Sequence, residues 1–235
     1  MDRTTTGITC FDQLLEGGFE SDTITTMYGP SGAAKTNICL QFAVSTALTG
    51  KKVIFVDTEG GISIDRLKQL TDNWETVLDK LLIFKPTTFE EQERTINQVK
   101  ELVSSMKPDK IGGIIIDTIS MLYRLERHNG EVHDTNRALG LQIAKLSEIA
   151  RKKNIPILIT NQVYADFDKP LSVNMVGGDL LKYGSKCLIE LQKTPTDSRR
   201  AILKKHRSIK EGKTILFTIE NKGIVEAKEK RFSIF

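Results

Sequence analysis

The stretch Gly29-Pro30-Ser31-Gly32-Ala33-Ala34-Lys35-Thr36 constrains the fold of this chain more than any other. Gly, four residues, Gly, Lys and Ser/Thr, set between a strand and a helix, is the pattern of a phosphate-binding P-loop. Here Ala34 stands at the second glycine. Thr23 to Tyr28, just before it, is β-branched and aromatic enough to form a strand. After it Ile38, Phe42 and Ala43 recur at helical spacing until Gly50, which suits a C-terminal cap. The backbone N–H groups of such a loop curl around a β-phosphate, and the helix N-terminus adds its positive dipole end. Lys35 is expected to reach the β- and γ-phosphates, Thr36 to ligate Mg²⁺, and Asn37 to extend the nucleotide-binding run. If position 34 needs a positive φ, its Cβ costs about 1–2 kcal/mol. The methyl would also crowd the phosphates, so nucleotide binding with weakened hydrolysis is expected.

At 235 residues the chain is long enough for one large α/β domain. The net charge is +4, but from Thr196 onward there are 11 Lys/Arg against 5 Asp/Glu, which leaves −2 for the first 195 residues. Cys10, Cys39 and Cys187 are few and scattered, as expected of a reducing cytosol rather than a disulfide framework. With no long apolar run and no basic-then-apolar leader, the expectation is a cytoplasmic protein without membrane contact.

Short apolar runs alternate with helical patterns. Val53 to Asp57, Leu81 to Phe84, Ile114 to Asp117 and Ile157 to Asn161 read as strands. Thr88 and Glu91 form a capping-box signature for a helix whose Ile96, Val99, Leu102, Val103 and Met106 share one face. Asp134 or Thr135 is placed to cap a long helix through Leu139, Ile143, Leu146 and Ile149. Strands apolar on both faces imply a mainly parallel sheet flanked by helices. From Lys186 the texture changes to strands separated by turns at 210–212 and 221–223, which read as C-terminal β-hairpins extending the sheet.

Three polar features fall at the C-terminal ends of these strands, where open α/β sheets place ligands. Asp117 ends an aliphatic run, a weak signal alone and a strong one beside a P-loop, and would hold a Mg²⁺-bound water. Glu59 is either a general base for the attacking water or a solvated loop acid. Gln162 is either a sensor of the γ-phosphate or a polar strand end. In Arg199-Arg200-Ala201-Ile202-Leu203-Lys204-Lys205-His206-Arg207, strand alternation would put Lys205 and Arg207 on one face. That pair is either a phosphate clamp, on DNA or on a neighbouring subunit's nucleotide, or a solvated edge. His128, His133 and His206 show no metal-ligand spacing.

With those residues in view, the chain resembles the RecA/RadA recombinase superfamily along nearly its whole length. Thr5-Thr6-Gly7-Ile8 with Leu14-Leu15-Glu16-Gly17-Gly18 is similar to the opening of that ATPase core. Asp57-Thr58-Glu59-Gly60 resembles the segment whose glutamate activates water, and Arg66 falls where the family stacks an arginine on adenine. Thr160-Asn161-Gln162-Val163 resembles the link from the γ-phosphate to the second DNA-binding loop. Lys205-His206-Arg207 looks like a Lys-x-Arg pair that relatives extend into a neighbour's ATP. Within the superfamily the likeness narrows to the archaeal RadB family, the short RadA paralogues. There is no Phe-x-x-Ala polymerisation motif in the sequence, and Thr87-Thr88-Phe89-Glu90-Glu91-Gln92 and Lys205-His206-Arg207-Ser208 look RadB-like.

The resemblance implies a single RecA-like ATPase domain over residues 1–235, without an N-terminal helix-hairpin-helix domain. It implies ATP and Mg²⁺ as cofactors, weak ATP hydrolysis, binding to single-stranded or branched DNA, and a supporting role in recombinational repair rather than strand exchange. Implied partners are the RadA recombinase, the Holliday-junction resolvase and, weakly, other copies of the chain. Two loops would face DNA: one near Arg124 to Asn129, including Arg127, and one from Tyr164 to Gly178, where Tyr164 and Phe167 either stack bases or pack internally. The basic stretch from Arg199 and Arg200 to Lys213 is the stronger electrostatic footprint. Two other readings stay open on this core: an active RadA-type strand-exchange recombinase and a clock-type signalling ATPase.

Overall fold

The computed structural model describes residues 2–127, 132–165 and 173–227. Two short strands, β1 (Arg3–Thr4) and β2 (Phe19–Glu20), pair around helix α1 (Thr9–Leu14). The chain then alternates: β3 (Ile24–Tyr28), α2 (Lys35–Leu48), β4 (Lys52–Asp57), α3 (Ile64–Leu70), α4 (Trp74–Leu78), β5 (Leu81–Phe84), α5 (Phe89–Ser105) and β6 (Ile111–Asp117). Next come α6 (Ser120–Arg127), α7 (Val132–Lys153), β7 (Ile157–Asn161), the small hairpin β8 (Val163–Ala165) and β9 (Val173–Met175), and α8 (Gly178–Gly184). The described chain finishes with β10 (Cys187–Lys193), β11 (Arg199–Lys205), β12 (Thr214–Glu220) and β13 (Gly223–Glu226). One sheet takes nine of these strands in the order β13-β12-β11-β10-β3-β7-β6-β4-β5. From β10 to β5 all neighbours are parallel, and β11 to β13 continue the sheet as antiparallel hairpins.

The period-2 alternation of the strands divides the core in two. Val53, Phe55, Ile115, Leu158 and Ile189 point to the face covered by α1 and α2. Ile54, Val56, Ile114, Ile116, Ile157 and Ile159 point to the face covered by α5 and α7. Helix α2 lies very close to β6, because a Cβ on Gly112 would meet Thr46 Cγ2 at 2.1 Å and one on Gly113 would meet the Phe42 ring at 2.8 Å.

Thr88 caps α5 as its position implies, its hydroxyl accepting from Glu91 N at 3.1 Å. The return bond is shifted by one residue, for the Glu91 carboxylate accepts from Thr87 N and Thr87 Oγ1, each at 2.8 Å. Two expectations need correcting. Helix α7 is already helical at Val132, so Asp134 and Thr135 lie inside its first turns and neither caps it. Arg124 to Arg127 belongs to α6 rather than to a loop, because Leu122 and Tyr123 bury against the second core and hold the turn helical. No helix among the described residues is long and apolar enough to cross a membrane.

Candidate active site

The C-terminal ends of β10, β3, β7, β6 and β4 form one edge of the sheet, and the polar residues singled out in the sequence converge there. The P-loop leaves β3 at Gly29 and enters α2 at Lys35. Gly29 sits hard against β10, where a Cβ would lie 2.2 Å from the Leu191 carbonyl oxygen. Gly32 and Ala34 both take positive φ, at 74° and 80°. Ala34 therefore occupies the conformation that makes a side chain costly. It is also the N-cap position of α2.

Lys35 is buried, and its ammonium donates to the carbonyls of Gly29 at 2.9 Å and Pro30 at 3.0 Å. Burial pushes its pKa below the ordinary lysine value, against the opposing pull of Glu59 and Asp117. Asp117 is buried at the end of β6 and accepts from Thr36 Oγ1 at 2.7 Å and Thr160 Oγ1 at 2.5 Å. Burial raises the pKa of this carboxyl, and the two hydroxyl donors offset part of that rise.

Asp57 closes β4 and turns its carboxylate onto the next segment. It accepts from Glu59 N at 3.3 Å, Gly61 N at 3.0 Å and Ile62 N at 3.2 Å, which fixes where Glu59 leaves the backbone. Glu59 Oε1 accepts from Gln162 Nε2 at 2.7 Å. Arg124 Nη1, on α6, reaches Gln162 Oε1 at 3.4 Å. Glu59, Gln162 and Arg124 thus form a hydrogen-bonded chain from the segment after β4 to α6.

Ser31, Gly32, Ala34, Lys35, Thr36, Asn37, Glu59 and Gln162 line a cavity of about 140 Å³. Typical small-molecule sites run to about 300–1,000 Å³. This space therefore suits a phosphate chain, and a base and sugar would lie outside it. The backbone cradle at positive φ, the buried ammonium and the hard oxygen donors of Thr36 and Asp117 fit a nucleotide triphosphate with a magnesium ion.

The other residues distribute differently. Arg66 is tied down by all three guanidinium nitrogens: Nε to Asn37 Oδ1 at 2.9 Å, Nη1 to Gln69 Oε1 at 2.7 Å and to Asn221 O at 3.0 Å, and Nη2 to Glu220 O at 3.1 Å. It joins the P-loop helix to the tip of the β12–β13 hairpin. Arg199 is at the P-loop, its Nε 3.4 Å from Gly32 O, and Arg200 is exposed beside it on β11.

Lys205 and Arg207 are elsewhere. β11 runs antiparallel to β10, so Lys205 lies opposite Leu188 at the far end of the sheet, about 20 Å from Arg199. The strand stops at Lys205, so alternation does not carry through to Arg207, and the two cations diverge. Lys205 Nζ donates to the carbonyls of Lys182 at 2.6 Å and Ser185 at 2.8 Å. Arg207 pairs with Glu20 at 2.6 Å and Asp22 at 2.7 Å. The Arg127 side chain and residues 166–172 of the Tyr164–Gly178 stretch, Phe167 included, fall outside the described residues; Tyr164 itself is exposed on β8.

Lys193 escaped the sequence reading. It ends β10, and its Cε and Nζ lie 3.0 Å from where a Cβ on Gly32 would be. Only the parallel pairing of β10 with β3 brings it there, and no local signal marks it.

Residues 1–227 match the family model described as Rad51. The DNA repair and recombination protein RadB of Methanococcoides burtonii is 43% identical over 215 residues, 91% of this chain and 93% of its own. The protein of that description from Methanoculleus marisnigri is 39% identical over 224 residues, 95% of this chain and 97% of its own. The crystal structure of the RadB recombinase superposes with a TM-score of 0.80 at 34% identity, covering 95% of this chain and 99% of that one.

Proposed function

The chain belongs to the Rad51 family, and on that premise we propose that it is an accessory protein of DNA repair and homologous recombination, which binds ATP and DNA and hydrolyses ATP slowly. The observation that carries this reading is the hydrogen-bonded chain Glu59–Gln162–Arg124, set against Lys35, Thr36 and Asp117. It offers one path along which the contents of the phosphate pocket bias α6 and the β8–β9 hairpin, the segments assigned to DNA.

Each residue has a role in this proposal. Gly29 to Thr36 wraps the phosphates, Lys35 offsets their charge, and Asn37 and Arg66 border the base. Thr36 and Asp117 would hold a magnesium ion, which would neutralise charge on the phosphate oxygens. The Glu59 carboxylate takes the proton of the attacking water, oriented by Asp57 through the backbone of the 59–62 segment. Gln162 exchanges its bond to Glu59 for one to the terminal phosphate. Ala34 limits the rate, since its methyl stands where the loop closes on the phosphates. Lys193 and Arg199 add cations beside Gly32.

Lys205 and Arg207 are too far from their own P-loop to serve it. Any nucleotide they contact is one bound by another copy of the chain; with Arg124, Arg127 and Arg200 they are otherwise candidates for DNA phosphates. RadA, the resolvase and a weak self-association remain the proposed partners. The test is ATP affinity and turnover with and without single-stranded DNA, for wild type and Glu59→Gln. The reading expects micromolar or tighter binding, slow turnover that DNA does not stimulate, and a further loss of about 100-fold or more in Glu59→Gln at unchanged affinity. Fast, DNA-stimulated turnover would refute the accessory role.

A further inference from the structure

A row of lysines lines the edge of the sheet farthest from the P-loop. Lys52 is the first residue of β4, Lys80 immediately precedes β5, and Lys110 immediately precedes β6. β4 lies between β5 and β6; Val53 opposite Leu81 sets Lys80 level with Lys52, about 4.8 Å away across the sheet, while Lys52 opposite Ile111 leaves Lys110 one residue further toward the strand starts. With Lys107, Met106 and Gly50 they line a groove of about 350 Å³. From this arrangement we propose that the groove is a binding surface for the phosphate backbone of DNA, separate from the segments already assigned to DNA.

Three ordinary explanations for such lysines fall short. Surface ion pairing accounts for one of them: among the described residues Lys110 meets Asp109 at 3.7 Å, and no carboxylate lies within 4.0 Å of Lys52, Lys80 or Lys107. Compensation of helix dipoles is the second, because α2, α4 and α5 end near this edge with about half a negative charge each. The last carbonyls of α5 are already served by Lys153, which donates to Ser104 O at 3.3 Å and Met106 O at 2.9 Å. Those of α2 are closed by Thr49 and Gly50. At the end of α4 the backbone N–H of Lys80 closes Val77 O at 2.9 Å, and among the described residues no groove lysine's ammonium donates to any of these carbonyls. Protection of a sheet edge is the third, yet of β4, β5 and β6 only β5 is an edge strand. Lys52 and Lys110 stand at interior strands.

What remains is a set of like charges held together with a local surplus. Each is a compact point charge rather than a planar fork. The groove offers one apolar side chain, Met106, and no amide, carboxylate or guanidinium to read base edges. That chemistry fits a repeating anion recognised without regard to sequence. A nucleic-acid strand supplies one phosphate per about 3.4 Å of axis, so neighbouring phosphates can meet neighbouring lysines. The inference rests on the proposed DNA binding and assigns it a surface.

Fluorescence anisotropy of a labelled 30-base-pair duplex between 50 and 200 mM salt tests it. The proteins are wild type, the triple variant Lys52→Gln, Lys80→Gln, Lys107→Gln, and the same three positions changed to Arg. Loss of three phosphate contacts should flatten the slope of log K against log salt by about 2.7 and weaken binding about 10- to 100-fold at low salt. The Arg variant should keep the wild-type slope. ATP affinity, read at the opposite end of the sheet, should be equal in all three and so reports the fold. A Gln variant that binds DNA with wild-type slope and affinity overturns the groove while leaving the proposed function standing. Wild type that binds no DNA overturns both.

Discussion

Ala34→Gly is the most informative single substitution. The residue sits at φ 80°, in the left-handed region, where a Cβ costs about 1–2 kcal/mol. Glycine removes that strain but loses about 0.4–1 kcal/mol through a freer unfolded chain. It also gives up one buried methyl, about 0.8 kcal/mol, since Ala34 is 5% exposed. The terms nearly cancel, so folding stability should change by less than about 1 kcal/mol and the melting temperature by no more than about 4 °C. Turnover has no such cancellation. If the loop must tighten around the phosphates in the transition state, relief of about 1–2 kcal/mol raises the ATPase rate roughly 5- to 30-fold. Steady-state phosphate release at saturating ATP, with a melting curve on the same protein, measures both. A rate at or below wild type, with the melting temperature unchanged, would show that Ala34 does not limit catalysis.

Three further outcomes follow from the geometry. Gly29→Ala puts a methyl 2.2 Å from a backbone carbonyl that no rotamer can move; β3 and β10 must part, with a loss of about 2–3 kcal/mol and a melting temperature lower by roughly 5–10 °C. Arg207→Ala removes the nearest cation from Glu20, a residue only 2% exposed, and leaves it Arg3 at 3.6 Å, the Ser208 hydroxyl at 3.0 Å and His206 at 3.8 Å. A cost of about 2 kcal/mol in a urea titration is expected, less than the loss of a sole partner. A neutral result would free Arg207 for DNA alone. Because burial lowers the pKa of Lys35, the unfolded chain holds more protons between that lowered value and about 10.4, the ordinary lysine pKa. Wild-type stability should therefore gain with rising pH across that window relative to Lys35→Met. Parallel urea midpoints for the two proteins would sink the idea.

The residues legible in the sequence are those whose chemistry is local. The P-loop is one contiguous strand–turn–helix, so the order of its residues dictates the backbone conformation, including the strained position 34. Thr88 caps α5 because a hydroxyl can reach a backbone N–H three residues on. Asp117 and Gln162 could be ranked because strand ends can be read from apolar runs, and parallel sheets gather such ends at one edge.

The rest depends on which strands become neighbours. Lys193 is at the P-loop only because β10 pairs with β3, and Arg66 reaches the β12–β13 hairpin across more than 150 residues of chain. Lys205 and Arg207 were expected to share one strand face, yet β11 ends at Lys205 and its antiparallel run carries both to the end of the sheet away from Arg199. Lys52, Lys80 and Lys110 are unremarkable where they stand in the chain and line one groove only once β5, β4 and β6 lie side by side. Side-chain sequence sets the conformation of a few consecutive residues. Distances between distant residues follow from sheet order and register, which are chosen by burying both faces of the sheet at once.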